Sequence, residues 1–169
     1  MLTHIMKSVL PNAKASVYYD FMVNPPPETY AHWLPEEHYE FHVVKHSVKT
    51  PVGDSYYFDQ NIGKRHRMKF HALMRVADKP NRILFQMRKF GINLPGYLEL
   101  HFYDTAEGLL LTETIRIGYN GFGKVIDPAI RLFYSKSFFI DMDRHHKKEW
   151  ANLAEVLRGE AMVMKNEYQ

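Results

Sequence analysis

His145 and Glu149 stand four residues apart in the run Asp143-Arg144-His145-His146-Lys147-Lys148-Glu149, a spacing that puts both heads on one face of a helix. An imidazole and a carboxylate so placed can share a metal ion or a proton. They can equally form an ordinary contact between successive turns at the rim of a cavity. A carboxylate facing an apolar interior costs several kcal/mol unless it is protonated, paired or bound to a cation, so the pair needs partners. His38, just after Trp33-Leu34-Pro35, offers a third polar group. Gln60 offers a fourth, because strand alternation puts it with Tyr56 and Phe58 on the more aromatic, inner side of residues 54–60. Glu113 alternates with Leu109, Leu111, Ile115 and Ile117 and therefore points inward, as a candidate acid or base. His66 shares a face with Met68 and Phe70, and His101 with Tyr97, Glu99 and Tyr103. Groups of this kind are more often satisfied core or surface residues than catalysts.

The elements that must position these residues follow from period and punctuation. Residues 16–23, Ser-Val-Tyr-Tyr-Asp-Phe-Met-Val, are rich in β-branched and aromatic types and read as a strand, ended by Asn24-Pro25-Pro26-Pro27. A short helix is expected from about Pro27 to Trp33, then a second helical turn from Leu34 that carries His38 and caps one end of the cavity. From His42 to Tyr119 the period is two. Breakers stand at Pro51-Val52-Gly53, Ile62-Gly63, Lys79-Pro80-Asn81, Asn93-Leu94-Pro95-Gly96 and Glu107-Gly108, which predicts an antiparallel meander of five or six strands. After Gly121 the pattern turns helical as far as Arg158, with a kink or break at Pro128. Phe138, Met142, His145, Glu149, Leu153 and Val156 form one stripe of that helix, facing the sheet, while Lys136, Asp143, Arg144, Lys147 and Lys148 lie elsewhere. The expected fold class is α+β, one helix-grip domain over 1–169: a curved antiparallel sheet wrapped around a long C-terminal helix, with two short helices near the N-terminus. Residues 1–14 and 160–169 are expected to be loosely ordered.

Composition narrows the chemistry. The 169 residues are 46% hydrophobic and 14% aromatic, as a packed domain requires. Cysteine is absent, which removes disulfides, thiolate nucleophiles and cysteine-based zinc motifs. Neither a leader-like apolar run nor a membrane-spanning stretch is seen, so the expected setting is the cytoplasm, without membrane partners. The net charge of +3 is mild, and the basic residues cluster only in Lys64-Arg65-His66-Arg67-Met68-Lys69. Alternation puts Arg65, Arg67 and Lys69 on one side of a strand, an ordinary solvated face. RNA binding there would need strongly salt-dependent affinity and ranks last, so no nucleic-acid partner is expected. Phosphate-cradling glycine loops and nucleophile elbows are missing.

The order strand, two helical turns, meander and long helix resembles the Bet v 1-like or START superfamily over almost the whole chain. More specifically, Trp33-Leu34-Pro35-Glu36-Glu37-His38, Val52-Gly53 with Tyr57-Phe58-Asp59-Gln60-Asn61-Ile62-Gly63, and His145-His146-Lys147-Lys148-Glu149 resemble the three motif regions of the diacetylphloroglucinol hydrolase family. That family holds a catalytic zinc and hydrolyses the carbon–carbon bond between an acyl group and a phenolic ring. The resemblance implies zinc, or another divalent metal, on His38, His145 and Glu149. The family's strand glutamate is replaced here by Gln60, a neutral amide and a poorer ligand. Glu113 and His66 are then the candidate proton donors. The rival reading is a non-catalytic carrier or sensor: the nine methionines and the 24 aromatic residues (11 Phe, 11 Tyr, 2 Trp) suit an adaptable cavity for a small hydrophobic or aromatic ligand. Both readings leave a homodimer open.

Overall fold

The computed structural model describes residues 1–26, 28–119, 125, 128 and 134–167, with side chains as far as 158 in the last helix. Seven strands form one antiparallel sheet: β1 (Leu2–Leu10), β2 (His38–Lys45), β3 (Ser55–Ile62), β4 (His66–Asp78), β5 (Arg82–Lys89), β6 (Ile92–Thr105) and β7 (Gly108–Ile117). Strands β2 to β7 neighbour one another in chain order, and β1 closes the far edge against β7. Register shifts in the β2–β3, β4–β5 and β5–β6 pairings bend the strands, because an unmatched residue kinks its own strand and increases the twist. The concave face holds a long helix, α3 (Lys136–Glu167), while α1 (Ala15–Val23) and α2 (Thr29–Trp33) lie at one end. This is the helix-grip architecture.

The inward rows follow the alternation. Leu109, Leu111, Glu113, Ile115 and Ile117 of β7 are all buried, as are Tyr56 and Phe58 of β3. On α3 the buried positions are Phe138, Met142, His145, Glu149 and Leu153, joined by His146, Trp150 and Ala154. The apolar stripe is thus one residue row wider than the sequence suggests. Aromatic packing is dense where α1, α2 and α3 meet: Trp33 lies 5.6 Å from both Phe21 and Trp150, centroid to centroid.

Four expectations are corrected. Residues 16–23 are helical and belong to α1. Its buried residues are Ala15, Tyr18, Tyr19, Phe21 and Met22; Ala15, Tyr18, Tyr19 and Met22 follow a three- and four-residue spacing that packing rewards over the β-propensity of the individual side chains. Its first turn is anchored from outside, since the Ala15 N–H donates to Asp104 Oδ1 at 2.8 Å. Residues 2–10, expected to be loose, pair with β7 along their whole length. At the other end, the backbone is helical to Glu167, and the rest of the 160–169 expectation lies outside the described residues. Asn93-Leu94-Pro95-Gly96 does not break a strand but lies inside β6. The chain turns instead at Phe90-Gly91, where φ is +51° and +78°. His38 is not on a helical turn: it is the first residue of β2, after a turn at Pro35–Glu37. The kink expected at Pro128 falls in 120–133, where only 125 and 128 are described.

Candidate functional site

Three segments distant in the chain converge at the α2 end of the sheet. The α2–β2 turn delivers Glu37 and His38, β3 delivers Gln60, and the middle of α3 delivers His145 and Glu149. His38 Nε2 lies 3.2 Å from His145 Nε2, and Glu149 Oε2 lies 3.4 Å from each of those nitrogens. All three residues are buried, and their donor atoms could hold a metal ion.

Neighbours fix each group. His145 Nδ1–H donates to Glu37 Oε2 at 2.7 Å, which leaves Nε2 facing His38 and Glu149. Glu37 Oε2 in turn accepts the Gly63 N–H at 3.1 Å. Gly63 has φ +60°, and an added Cβ would meet Asp141 of α3 at 2.6 Å, so glycine alone lets the β3–β4 turn come close enough. The His38 ring is clamped by aromatic contacts. Tyr30 stacks on it at 4.0 Å and 5°, and Trp33 meets it edge-on at 5.0 Å. Its Nδ1 is buried with no hydrogen-bond partner. Trp33 Nε1–H donates to the Glu149 carbonyl oxygen at 2.5 Å, tying α2 to α3. Gln60, the cross-strand partner of His38, accepts the Tyr30 hydroxyl on Oε1.

Electrostatics set the metal-free protonation. Burial pulls His145 down, but Glu149 and Glu37 outweigh it and hold the imidazole above its ordinary pKa. Burial likewise pushes Glu149 up, and His145 and His38 reverse this, so its carboxyl sits below the usual range. His38 is lowered, mainly by burial, despite Glu149. Without a metal, an imidazolium and a carboxylate therefore neutralise each other inside the protein.

A second chain of polar groups runs from the cavity to the sheet edge. Glu113 Oε2 accepts His146 Nδ1–H at 2.7 Å and Trp150 Nε1–H at 3.0 Å. His146 Nε2 lies 3.1 Å from Ser8 Oγ of β1. Burial lowers His146 and Glu113 raises it, with a net rise. Glu113, His146 and Glu149 form a second cluster that could hold a metal, although Glu113 is already engaged by two N–H donors.

Both sets face one cavity between sheet and helix, enclosing about 680 Å³ of empty space, part of it open to solvent. The walls are mainly apolar, and Met22, Met68, Met87 and Met142 among them can shift rotamer around a guest. His145, Glu149, Gln60 and Glu113 supply its polar groups. His66 is not on this wall. It packs edge-on against Phe138 at 5.2 Å, near the β3–β4 turn. His101 is on the outer side of the sheet, bonded to Glu99 and Tyr103.

The sequence brought His38, His145, Glu149, Gln60 and Glu113 into view; the structure puts His145, Glu149, Gln60 and Glu113 on the wall of one cavity, with His38 buried against His145 and Glu149. Glu37, Ser8 and the buried role of His146 were missed. Glu37 sits in a turn, where no periodicity tells which way a side chain points. The signal for His146 was the second row His146, Trp150, Ala154 beside the first.

No protein-family model matches the sequence, and no curated protein matches it either. Solved structures do. A START superfamily protein from Mycobacterium smegmatis superposes with TM-score 0.61 at 12% identity, over 92% of this chain and 97% of that one. Ginseng major latex-like protein 151 from Panax ginseng gives 0.56 at 16%, over 86% and 97%. Protein NE0264 from Nitrosomonas europaea gives 0.55 at 13%, over 95% and 97%. The chain has the helix-grip fold of START and Bet v 1-like proteins. At these identities the likeness carries the fold alone.

Proposed function

We propose that the chain is a zinc-dependent hydrolase that cleaves a carbon–carbon bond between an acyl group and a phenolic or β-diketone-like body held in the apolar cavity. The observation that carries this reading is the triangle of donor atoms. Its edges are 3.2, 3.4 and 3.4 Å, whereas a tetrahedral zinc with bonds of 2.0–2.1 Å needs edges of about 3.3–3.4 Å. Two imidazoles and one carboxylate are an accepted three-ligand set with a fourth position open. The Glu37–His145 bond supplies the outer carboxylate that such histidines usually have. His38 lacks one and is held by ring stacking instead.

When bound, the metal would supply an acidic water and polarise a carbonyl oxygen. The chain's own residues do the rest. The Met and aromatic walls exclude bulk water and orient the apolar body. With Oε1 committed to Tyr30, Gln60 offers its amide N–H groups to a substrate oxygen or a water. Of the two proton donors suggested by the sequence, Glu113 lines the cavity and His66 does not; since Glu113 accepts the His146 Nδ1–H, the proton it would pass to the substrate comes from His146. The motif regions around His38, Gln60 and His145 resemble the diacetylphloroglucinol hydrolase family, which supports the reaction class.

One observation favours a carrier instead. Without a metal, His145 and Glu149 already pair with each other at 3.4 Å. Elemental analysis separates the two. Protein made without a histidine tag or chelator should hold close to one zinc per chain, and His145→Ala should hold none. Wild-type protein free of metal, and still binding an apolar dye, would leave the carrier.

A further inference from the structure

Strand β4 is longer than its neighbour. It pairs with β3 from His66 to Leu73, but with β5 only from His71 onward, where Arg88 faces it. The β5–β6 hairpin turns away at Phe90-Gly91, so residues 66–70 overhang it. Beside this overhang lies a vestibule lined by Arg65, Arg67, Lys69 and Lys89, with Leu94 and His66. It shares Met68, Phe70, Met87, Tyr134 and Phe138 with the inner cavity and is therefore its mouth.

The charge of the mouth is one-sided. No acidic side chain lines it among the described residues. Asp59, behind it, takes Arg67 through both oxygens at 3.0 and 2.9 Å and Lys69 at 2.9 Å, so two cations share one carboxylate. Arg65 and Lys89 are exposed and have no acidic partner among the described residues. Lys89 lies over the Phe90 ring at 5.7 Å, which leaves its charge uncompensated, and cations without a counter-charge at the rim of an apolar pocket attract an anion and raise its local concentration. The inner cavity begins at Phe138 and reaches His145, roughly 10 Å further along α3 at 1.5 Å per residue.

We propose that this overhang admits an anionic amphiphile, its acid group held by Arg65 and Lys89 and its apolar body lying along the cavity toward His145. The assignment rests on the cavity being a ligand site and deepens that reading by naming the ligand's charge. It does not depend on the metal.

Two dyes of one shape test it: 8-anilinonaphthalene-1-sulfonate, and N-phenyl-1-naphthylamine, which lacks the sulfonate. Both tryptophans of the chain, Trp33 and Trp150, line the inner cavity, so their quenching reports binding, and displacement of one dye by the other reports entry. In Arg65→Ala/Lys89→Ala the sulfonate's Kd should rise tenfold or more, while the neutral dye's stays within twofold. The sulfonate's affinity for the wild type should also fall as salt rises from 50 to 500 mM. Equal losses for both dyes, or an unchanged sulfonate Kd, would overturn the entrance while leaving the cavity a ligand site. If neither dye binds the wild type, the cavity reading fails, and the entrance with it. A sulfonate dye that the neutral one cannot displace, or that polyuridylate alone removes, would place the anion outside the cavity and overturn the proposal.

Discussion

At the scale of single residues, the donor triangle depends on groups that supply none of its three atoms. Glu37 fixes the His145 ring by taking its Nδ1–H, and outer partners of this kind are worth ten- to a hundredfold in metal affinity. Glu37→Gln should therefore weaken zinc by about that factor in a chelator competition, with the fold intact. Unchanged affinity would take Glu37 out of the site. Gln60→Glu should act in the opposite sense, tightening zinc about tenfold, because it adds a carboxylate beside His38. A weaker site in that variant would mean that the Tyr30 hydroxyl on Gln60 matters more than the added charge. His145 and Glu149 were legible in the sequence because helical spacing is local. Glu37 and Ser8 were not, because their partners lie 108 and 138 residues away and no local pattern encodes such pairings; for His146 the row with Trp150 and Ala154 signals burial but not its partner Glu113, 33 residues away.

At the scale of elements, the meander was readable from its breakers and the long helix from its stripe. The N-terminal third was not. In residues 16–23 the propensity of each side chain points to a strand, and only the spacing of Tyr18, Tyr19 and Met22 points to the helix that forms. Strand β1 was missed because its pairing partner, β7, comes about a hundred residues later. The turn that joins β3 to β4 is the element on which the site leans most, and comparing its Gly63 with Gly91 of the β5–β6 turn measures its demands. Gly63 has φ +60° and no room for a Cβ beside Asp141, whereas Gly91 has φ +78° and nothing within 4 Å. Gly91→Ala meets only left-handed strain and should cost about 1–2 kcal/mol in urea unfolding. Gly63→Ala meets strain and overpacking together and should cost about 2–4 kcal/mol. It should also lose zinc affinity, as its N–H shifts from Glu37. Equal costs for the two variants would show that the turn has room to give.

At the scale of the whole molecule, the convex face of the sheet is tied together by carboxylates under arginines, and this makes stability depend on acid. Glu99 is the clearest case, nearly buried, and bonded to Arg82 at 2.6 Å and Arg116 at 2.7 Å from neighbouring strands. Burial alone would raise its pKa. The two guanidiniums more than offset this and hold the carboxyl below its ordinary 4.5. A carboxylate whose pKa is depressed by folding contributes stability in full above its unfolded pKa, and loses it as pH falls through the folded value. Between pH 5 and 8, Glu99→Gln should therefore be less stable than wild type by about 1–2 kcal/mol, a figure held down because both arginines are part-exposed. As pH falls below 4.5 the gap should narrow, and it closes once pH passes the lowered folded value, where the wild-type carboxyl becomes neutral like the amide. Urea midpoints at pH 7, 5 and 3.5 decide the matter. A gap that persists unchanged to pH 3.5 would assign the loss to packing rather than charge, and the link between β5, β6 and β7 would then owe nothing to ionisation.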